Sequence, residues 1–236
     1  IPRSFDSLLR KKYPDIRRLA TPNLHAIPRR VQLGVVDIDK DPYRGNRSLA
    51  CADVIWSLGK AGDGSGSGEF SSQKKIIVFV NEREEADEVT EFLRYKGIDA
   101  FTLSRDSADR NASNILDHFT GISTEEEIQR PKHDPSIPFD IPEEEHDKRS
   151  STPRRRLPNT KVLVTTDLGS RGIDTLAVKY VILYDVPHTT IDFIHRLGRV
   201  GRMGRRGRGI VLVGKKDRKD IVREVRDAMY RGQALI

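Results

Sequence analysis

"YVILYDVPHTTIDFIHRL", residues 180–197, changes in its middle from an apolar run to a set of helix-start signals. The apolar, β-branched first half is typical of a strand buried on both faces of a parallel sheet. Pro187 interrupts the run, Thr189 is a good helix N-cap, and Asp192 stands in the capping-box position three residues later. The segment therefore predicts a strand followed directly by a helix that begins near Thr190.

The same alternation of strand and helix signals runs along most of the chain. Five further apolar, β-branched runs lie at residues 30–38, 74–80, 99–103, 161–166 and 209–214. Helical patterns separate or follow several of them, at residues 83–97, 112–121 and 215–232. Alternating strands and helices are typical of the α/β class. We predict a doubly wound parallel sheet of about six strands with helices on both faces.

Other segments depart from this alternation. Residues 1–29 contain one helical pattern and then a proline-punctuated stretch, so we interpret them as an arm that leads into a domain of residues 30–236. Residues 61–73 are rich in Gly and Ser, and residues 130–158 combine six prolines with mixed charge, so both are expected to be flexible insertions. The chain starts "IPRSF" without a methionine, and we expect it to be part of a longer protein.

The charge of the chain indicates one class of partner. The 236 residues carry a formal net charge of +7, and ten Lys or Arg but a single acid lie between residues 196 and 219. A local positive field attracts phosphate backbones without reading sequence, although a solvated surface explains the charge alone equally well. A single cysteine excludes an internal disulfide, the histidines lack zinc spacing, and the apolar runs are too short to cross a bilayer. We expect nucleic acid as partner, and neither a metal site nor a membrane.

The turn after the fourth run, "TTDLGSRGID" at residues 165–174, carries candidate ligand-binding groups. Ligands of open parallel sheets bind at the loops that follow the carboxyl ends of the strands. Threonine hydroxyls and exposed amides in such a turn can bind phosphate, and the carboxylate of Asp174 can accept hydrogen bonds from a ribose. An ordinary turn glycine beside a satisfied arginine remains the alternative for "RGID".

The segment "HRLGRVGR", which begins at His195, places cations at helical spacing. His195 and Arg199 are four residues apart and Arg199 and Arg202 three apart, so a continuous helix would present all three along one edge. Gly198 and Gly201 permit the close approach of another backbone. The planar, permanently charged guanidinium suits a phosphoryl group whose charge moves toward the leaving oxygen. The spacing alone also allows a helix end that leads into a basic loop.

Together, "IIVFVNER", "VLVTTDLGSRGID", "VILYDVP" and "HRLGRVGR" occur in the order of motifs IV, V, Va and VI. In these motifs the chain resembles the second RecA-like domain of DEAD-box RNA helicases over about residues 30–220. Residues 1–29 resemble the end of the first RecA-like domain and the interdomain linker. Neighbouring helicase families usually have glutamine at the position of His195. The resemblance implies a RecA-like fold and the activity of an ATP-dependent RNA helicase, an RNA-stimulated ATPase.

The resemblance also implies a role for each motif residue. Arg199 and Arg202 correspond to the catalytic arginine fingers that reach the γ-phosphate of ATP. The implied nucleotide-binding residues are Gly172, Asp174, His195 and Arg196, and the implied RNA-binding residues are Asn81, Arg105, Thr166 and Arg171. The implied cofactor is ATP with Mg²⁺, the magnesium being held by the first RecA-like domain, whose P-loop and Asp-Glu-Ala-Asp box have no counterpart in this chain. We expect this chain to be inactive in ATP hydrolysis by itself.

One motif departs from the family pattern. Residues 103–106 read "LSRD" where the family usually has Leu-His-Gly-Asp, and Asp109 and Ala112 stand where a Gln-x-x-Arg signature is expected. The departure weakens the case for RNA binding on this side of the domain. It leaves open a second interpretation, a catalytically inactive RNA-binding chaperone or assembly scaffold that retains a helicase fold.

Two segments narrow the resemblance further. "LYDVPHTTIDFIHRLGRVGRMGRRG" and "TPNLHAIPRR" look like a fungal mitochondrial branch of the DEAD-box family. This likeness implies a location in the mitochondrial matrix. The implied partners are RNA, the first RecA-like domain of the same protein, and ribonucleoprotein or ribosomal assembly factors.

Overall fold

The computed structural model describes residues 3–17, 27–61, 73–103, 115–116, 119, 156–167 and 178–232. The strands are β1 (Val31–Asp37), β2 (Lys74–Phe79), β3 (Asp99–Leu103), β4 (Thr160–Thr165), β5 (Tyr180–Leu183) and β6 (Gly207–Val213). The helices are α1 (Arg3–Lys12), α2 (Arg47–Lys60), α3 (Arg83–Tyr95), α4 (Thr190–Leu197) and α5 (Lys219–Arg231), with a 3₁₀ turn at Arg202–Gly204. No helix in these ranges is long and apolar enough to span a membrane.

The strands form one six-stranded parallel sheet in the order β1-β6-β5-β2-β4-β3. Helices α2 and α3 cover one face, and α4 and α5 cover the other. Strand β2 shows why its apolar run is continuous: Ile76 and Val78 pack into the cluster under α2 and α3, whereas Ile77 and Phe79 pack into the opposite cluster. Burial of each such side chain stabilises the fold by about 1.5–3 kcal/mol. The predicted doubly wound α/β sheet is confirmed.

Helix α4 begins where the sequence predicts. Its first residue is Thr190, and the preceding Thr189 accepts a hydrogen bond from the Asp192 amide through Oγ1 at 3.1 Å. Because this bond satisfies an amide that has no partner in the first helical turn, the side chain of Thr189 fixes the start of the helix.

Helix α2 has no counterpart among the sequence predictions. Asn46 caps it by accepting a hydrogen bond from Leu49 N at 2.9 Å. Ala50 and Ile55 are buried against the sheet, and Trp56 packs at the margin of the same cluster. Apolar residues thus lie around much of the circumference of α2, and the pattern lacks the single apolar stripe by which amphipathic helices are identified.

Several predicted boundaries also shift. Helix α1, the helical pattern within residues 1–29, ends at Lys12, because Pro14 disfavours helical geometry in the residue before it. Most of the two predicted insertions lies outside the described residues. However, Leu157 at the end of predicted insertion 130–158 is buried, and its amide donates to Gly97 O at 2.9 Å. The insertion was therefore predicted too long at its carboxyl end, because Leu157 belongs to the core.

The prediction of a continuous helix from His195 to Arg202 is wrong. Helix α4 ends at Leu197, Gly198 caps it, and Gly201 adopts a left-handed φ of 73°. A Cβ on Gly207 would lie 2.7 Å from Gly201 N, and a Cβ on Gly201 would collide with the side chain of Val31. The chain turns here to pass against β1 and β6, so the predicted close backbone approach at Gly201 is confirmed although the helix is not.

We expect Gly201→Ala to lower the free energy of unfolding by about 1–3 kcal/mol more than Gly204→Ala, measured by urea denaturation. Both glycines have a left-handed φ, but nothing lies within 4 Å of a Cβ on Gly204. The difference between the variants therefore isolates the cost of crowding against Val31. Equal destabilisation by the two substitutions would contradict this assignment.

Candidate functional site

The carboxyl ends of three neighbouring strands bring the predicted motif turns together. Phe79 at the end of β2 is in register with Thr165 at the end of β4 and with Leu183 at the end of β5. The segments that follow these strands carry Asn81, Thr166 and Tyr184, and they lie side by side at one edge of the sheet. The expectation that these turns share one edge is confirmed.

Arg196 of helix α4 joins two of these turns from inside the domain. Its side chain is only 3% exposed, and it donates from Nε to Asp167 Oδ1 at 2.9 Å and from Nη2 to Asp167 Oδ2 at 2.7 Å. The same Nη2 donates to Asn81 Oδ1 at 2.8 Å. The guanidinium carbon also lies 5.6 Å from the ring centroid of Phe79. Such a two-pronged carboxylate contact fixes the orientation of the arginine, and this position gives Arg196 a positioning role.

Asn81 is held by its backbone and by both ends of its side-chain amide. Its backbone N donates to Asp185 Oδ2 at 2.9 Å, and its Nδ2 donates to Val186 O at 3.1 Å. Because Oδ1 accepts from Arg196, RNA contact by this side chain would compete with bonds inside the domain. The RNA-binding role of Asn81 stays a prediction.

Sequence reasoning did not find Arg47, the first residue of α2. Its Nη1 donates to Tyr184 O at 2.7 Å and to Asp185 Oδ1 at 2.8 Å, and its Nη2 donates to Asp217 Oδ2 at 2.6 Å. Charged side chains so placed connect the ends of β5 and β6 to α2. The sequence signal for the two aspartates is their position in the turns that follow β5 and β6, whereas no local signal marks Arg47. With the contacts above, a strand-end network is formed by Asp217, Arg47, Asp185, Asn81, Arg196 and Asp167.

A second carboxyl group approaches Asp185. Burial raises the pKa of Glu85 to about 8, and a hydrogen bond with Asp185 and the negative charge of Asp185 act in the same direction, while Arg47 opposes them. Two carboxyl groups this close bind one proton between them, because both cannot ionise at low cost. Glu85 thereby extends the strand-end network to helix α3.

The two predicted catalytic arginines lie in the turn after α4. Burial lowers the pKa of Arg199, and the positive charge of Arg202 lowers it further, whereas Asp167 acts in the opposite sense. Arg202 is exposed and donates from Nε to Gly198 O at 3.0 Å. Within the described residues, neither arginine forms an ion pair. Two cations close enough to repel each other form an environment that favours an anionic ligand.

The remaining predicted residues divide into two groups. Thr166 is half-buried directly before Asp167, and His195 is exposed on α4. Gly172, Asp174, Arg105 and Arg171 lie outside the described residues. In the ranges that the structure describes, no cluster of three or more His, Cys, Asp or Glu side chains is arranged to hold a metal ion.

We expect the strand-end network to make stability depend on pH through Glu85. Between its ordinary pKa of 4.5 and about 8, the folded chain binds the proton more tightly than the unfolded chain, so the free energy of unfolding decreases as pH rises. Glu85→Gln keeps the side chain neutral and should therefore be similar in stability to wild type below about pH 4.5, and increasingly more stable than wild type as pH rises to 8. Urea denaturation across this range measures the effect, with exposed Glu84→Gln as the control. A wild-type slope in the Glu85→Gln variant would refute the assignment.

We expect Arg196→Lys to lower the free energy of unfolding by about 1–3 kcal/mol, because lysine keeps the charge but cannot reproduce the two-pronged contact with Asp167. Arg199→Lys should lower the free energy of unfolding much less, because the half-buried Arg199 forms no ion pair within the described residues. Thermal and urea unfolding of the two variants provide the comparison, and an equal loss in both would show that the Asp167 contact is not the source of the effect.

Comparison with known proteins supports the assignment of the motifs. The family model described as "Helicase conserved C-terminal domain" matches residues 137–204. The chain is 70% identical over 248 aligned residues to "ATP-dependent RNA helicase mrh4, mitochondrial" of Aspergillus clavatus, covering 100% of this chain and 39% of that protein. It is 61% identical to the protein of the same name from Sclerotinia sclerotiorum, again covering 100% and 39%. The chain thus spans about two-fifths of the length of these relatives.

Solved structures share the fold. The S. cerevisiae Dbp5 bound to RNA and ADP BeF3 superposes with a TM-score of 0.62 at 19% identity, over 97% of this chain and 47% of that chain. The Mss116p DEAD-box helicase domain 2 bound to an RNA duplex gives a TM-score of 0.52 at 20% identity, over 84% and 59%. These likenesses confirm the predicted RecA-like fold.

The fungal relatives carry "mitochondrial" in their names, which confirms the predicted mitochondrial location. The order of motifs IV to VI, the parallel sheet that gathers their turns, and the identity to these relatives agree with one another. Residues 137–204 thus match the helicase C-terminal domain family, and the whole chain is similar to about two-fifths of fungal proteins that are named mitochondrial ATP-dependent RNA helicases.

Proposed function

We propose that this chain is the second motor domain of an ATP-dependent RNA helicase and that it supplies two arginine fingers, Arg199 and Arg202. The observation that carries the proposal is the turn after α4, where two cations without a described ion pair follow directly on the buried anchor Arg196. A fixed anchor next to the reactive groups keeps their geometry before the nucleotide is bound, which is the condition for electrostatic catalysis. Relatives that share the whole chain are named ATP-dependent RNA helicases.

ATP fits the character of this surface better than a metal ion does. The described groups at the turn are guanidinium donors, which suit phosphoryl oxygens, and the described residues provide no carboxylate cluster for Mg²⁺. In this proposal, the first RecA-like domain holds ATP and its Mg²⁺, and the chain alone does not hydrolyse ATP. Arg199 and Arg202 bind the oxygens of the γ-phosphoryl group and stabilise the charge that moves toward the leaving oxygen.

RNA binds along the neighbouring strand ends in the same proposal. Thr166 and Arg171 contact the phosphate backbone, which makes binding independent of base sequence. ATP and RNA together close the two RecA-like domains, closure separates a duplex locally, and hydrolysis reopens the cleft. The mitochondrial names of the relatives suggest mitochondrial RNA metabolism or ribosome assembly as the setting, with ribonucleoprotein assembly factors as partners.

In the full-length protein, we expect Arg202→Ala or Arg199→Ala to lower the rate of RNA-stimulated ATP hydrolysis by a factor of about 10³–10⁵, as removal of an arginine finger does in other phosphoryl transfers. Arg205→Ala is the matched control, because this exposed arginine lies beyond the finger pair and should leave the rate unchanged. A steady-state ATPase assay with saturating RNA measures the effect.

The outcomes separate the two interpretations of the sequence. Wild-type rates in both finger variants would overturn the mechanism. A wild-type protein that binds RNA but never hydrolyses ATP would instead support the inactive chaperone or scaffold.

A further inference from the structure

The charges of helix α5 are sorted onto two sides. Along one side, spacings of four, three and four residues align three cations and one aromatic ring, and spacings of four and three align the acids on the adjacent side. The basic side consists of Lys219, Arg223, Arg226 and Tyr230, and the acidic side of Asp220, Glu224 and Asp227. We call the first group the α5 basic stripe. Arg231 lies on the second side as well, four residues after Asp227, so only the first side carries charge of a single sign.

The α5 basic stripe borders an open groove along the edge of the sheet. The floor of the groove is apolar, formed by Val35, Val213 and Val222, and its volume is about 260 Å³. The three cations of the stripe line one side, and Asp37 lies at the end of β1. Because β1 is an edge strand, the groove opens outward without a further strand beside it.

The cations of this groove are not neutralised by the described part of the chain. Lys219, Arg223 and Arg226 form no ion pair there, whereas two of the acids on the other side have partners: Asp220 pairs with Arg218 at 2.6 Å, and Glu224 accepts from Thr190 at 2.9 Å. The groove therefore carries a concentrated positive charge that an anionic chain can neutralise.

Tyr230 indicates which anionic chain fits. Its side chain is 94% exposed, so the packing of the domain does not account for it. A cationic groove followed by an exposed aromatic ring is the arrangement by which proteins bind single-stranded nucleic acid, with phosphates on the cations and a base on the ring. An acidic peptide would neutralise the cations but leaves the exposed ring without a role.

We propose that the α5 basic stripe and its groove bind single-stranded RNA as a second contact, separate from the motif turns. The edge strand β1 lies four strand positions from β4, whose end carries Thr166, and at about 4.8 Å per strand this separates the two surfaces by about 19 Å. RNA that reaches both surfaces is held at two places on one domain. The second contact needs neither ATP nor the arginine fingers, so it goes beyond the function proposed above.

The test measures RNA affinity of the full-length protein without ATP, by fluorescence anisotropy over a series of salt concentrations. The variant K219Q/R223Q/R226Q should bind a single-stranded RNA of roughly 20 nucleotides about tenfold more weakly, and its salt slope should fall by about 2, since each lost phosphate contact removes about 0.7. Tyr230→Ala should weaken binding roughly fivefold or more with an unchanged slope, because stacking releases no counterions.

The matched control is K11Q/K60Q/K96Q, which removes the same charge from residues outside both the groove and the motif turns. If both triple variants lose RNA affinity equally, net charge alone accounts for the effect and the proposal is overturned. Wild-type RNA affinity in K219Q/R223Q/R226Q would also overturn it. If poly-glutamate displaces bound RNA equally well from the wild type and from the triple variant, the competition takes place at another surface. This result would also count against the groove. If the triple variant fails to fold, Tyr230→Ala alone decides, and wild-type affinity in it refutes the proposal.

Discussion

The contact of Arg196 with Asp167 and Asn81 is the interaction on which the arrangement of this domain depends. It lies where three buried strands end, and it joins the helix that precedes the predicted arginine fingers to two turns with predicted ligand-binding roles. A guanidinium is costly to bury unless its donors are satisfied, and the Nη1 of Arg196 is buried without a hydrogen-bond partner, so the turns must keep the positions that satisfy Nε and Nη2. The burial of Arg196 during folding therefore fixes the positions of these turns at the surface of the domain.

The strand-end network spreads this constraint across the sheet. Asp185 accepts from Arg47 on one side and from Asn81 on the other, and Asn81 in turn accepts from Arg196. Displacement of one turn removes a partner from the next, so the turns shift together or not at all. The proposed function, in which the domain responds to nucleotide and RNA at once, gains from such a linked edge, because neither ligand could reposition its own turn alone.

The sequence predicts those parts of the structure that repeat a local pattern. The parallel sheet followed from continuous apolar runs, and the start of α4 followed from the residues that cap it. Helix α2 was missed because its apolar residues surround the helix, and the end of α4 was missed because contact between Gly201 and a distant strand decides it. Arg47 could not be assigned from sequence, since its partners lie 137–170 residues away. Contacts between residues that are distant along the chain cannot be predicted from the spacing of neighbouring residues in the sequence.

Leu157 and the end of helix α2 meet at one corner of the sheet. A Cβ on Gly59 would lie 2.8 Å from Leu157, and Lys74 Nζ, at the start of β2, donates to Leu58 O at 3.0 Å. The residues that flank segments 62–72 and 104–155 thus contact one another at the amino ends of the strands, opposite the edge that carries the motif turns. Because these contacts hold the flanking residues in place, residues inserted within either segment would lengthen the chain without changing the register of the strands. A label attached there would extend the chain and leave the edge with the motif turns as it is.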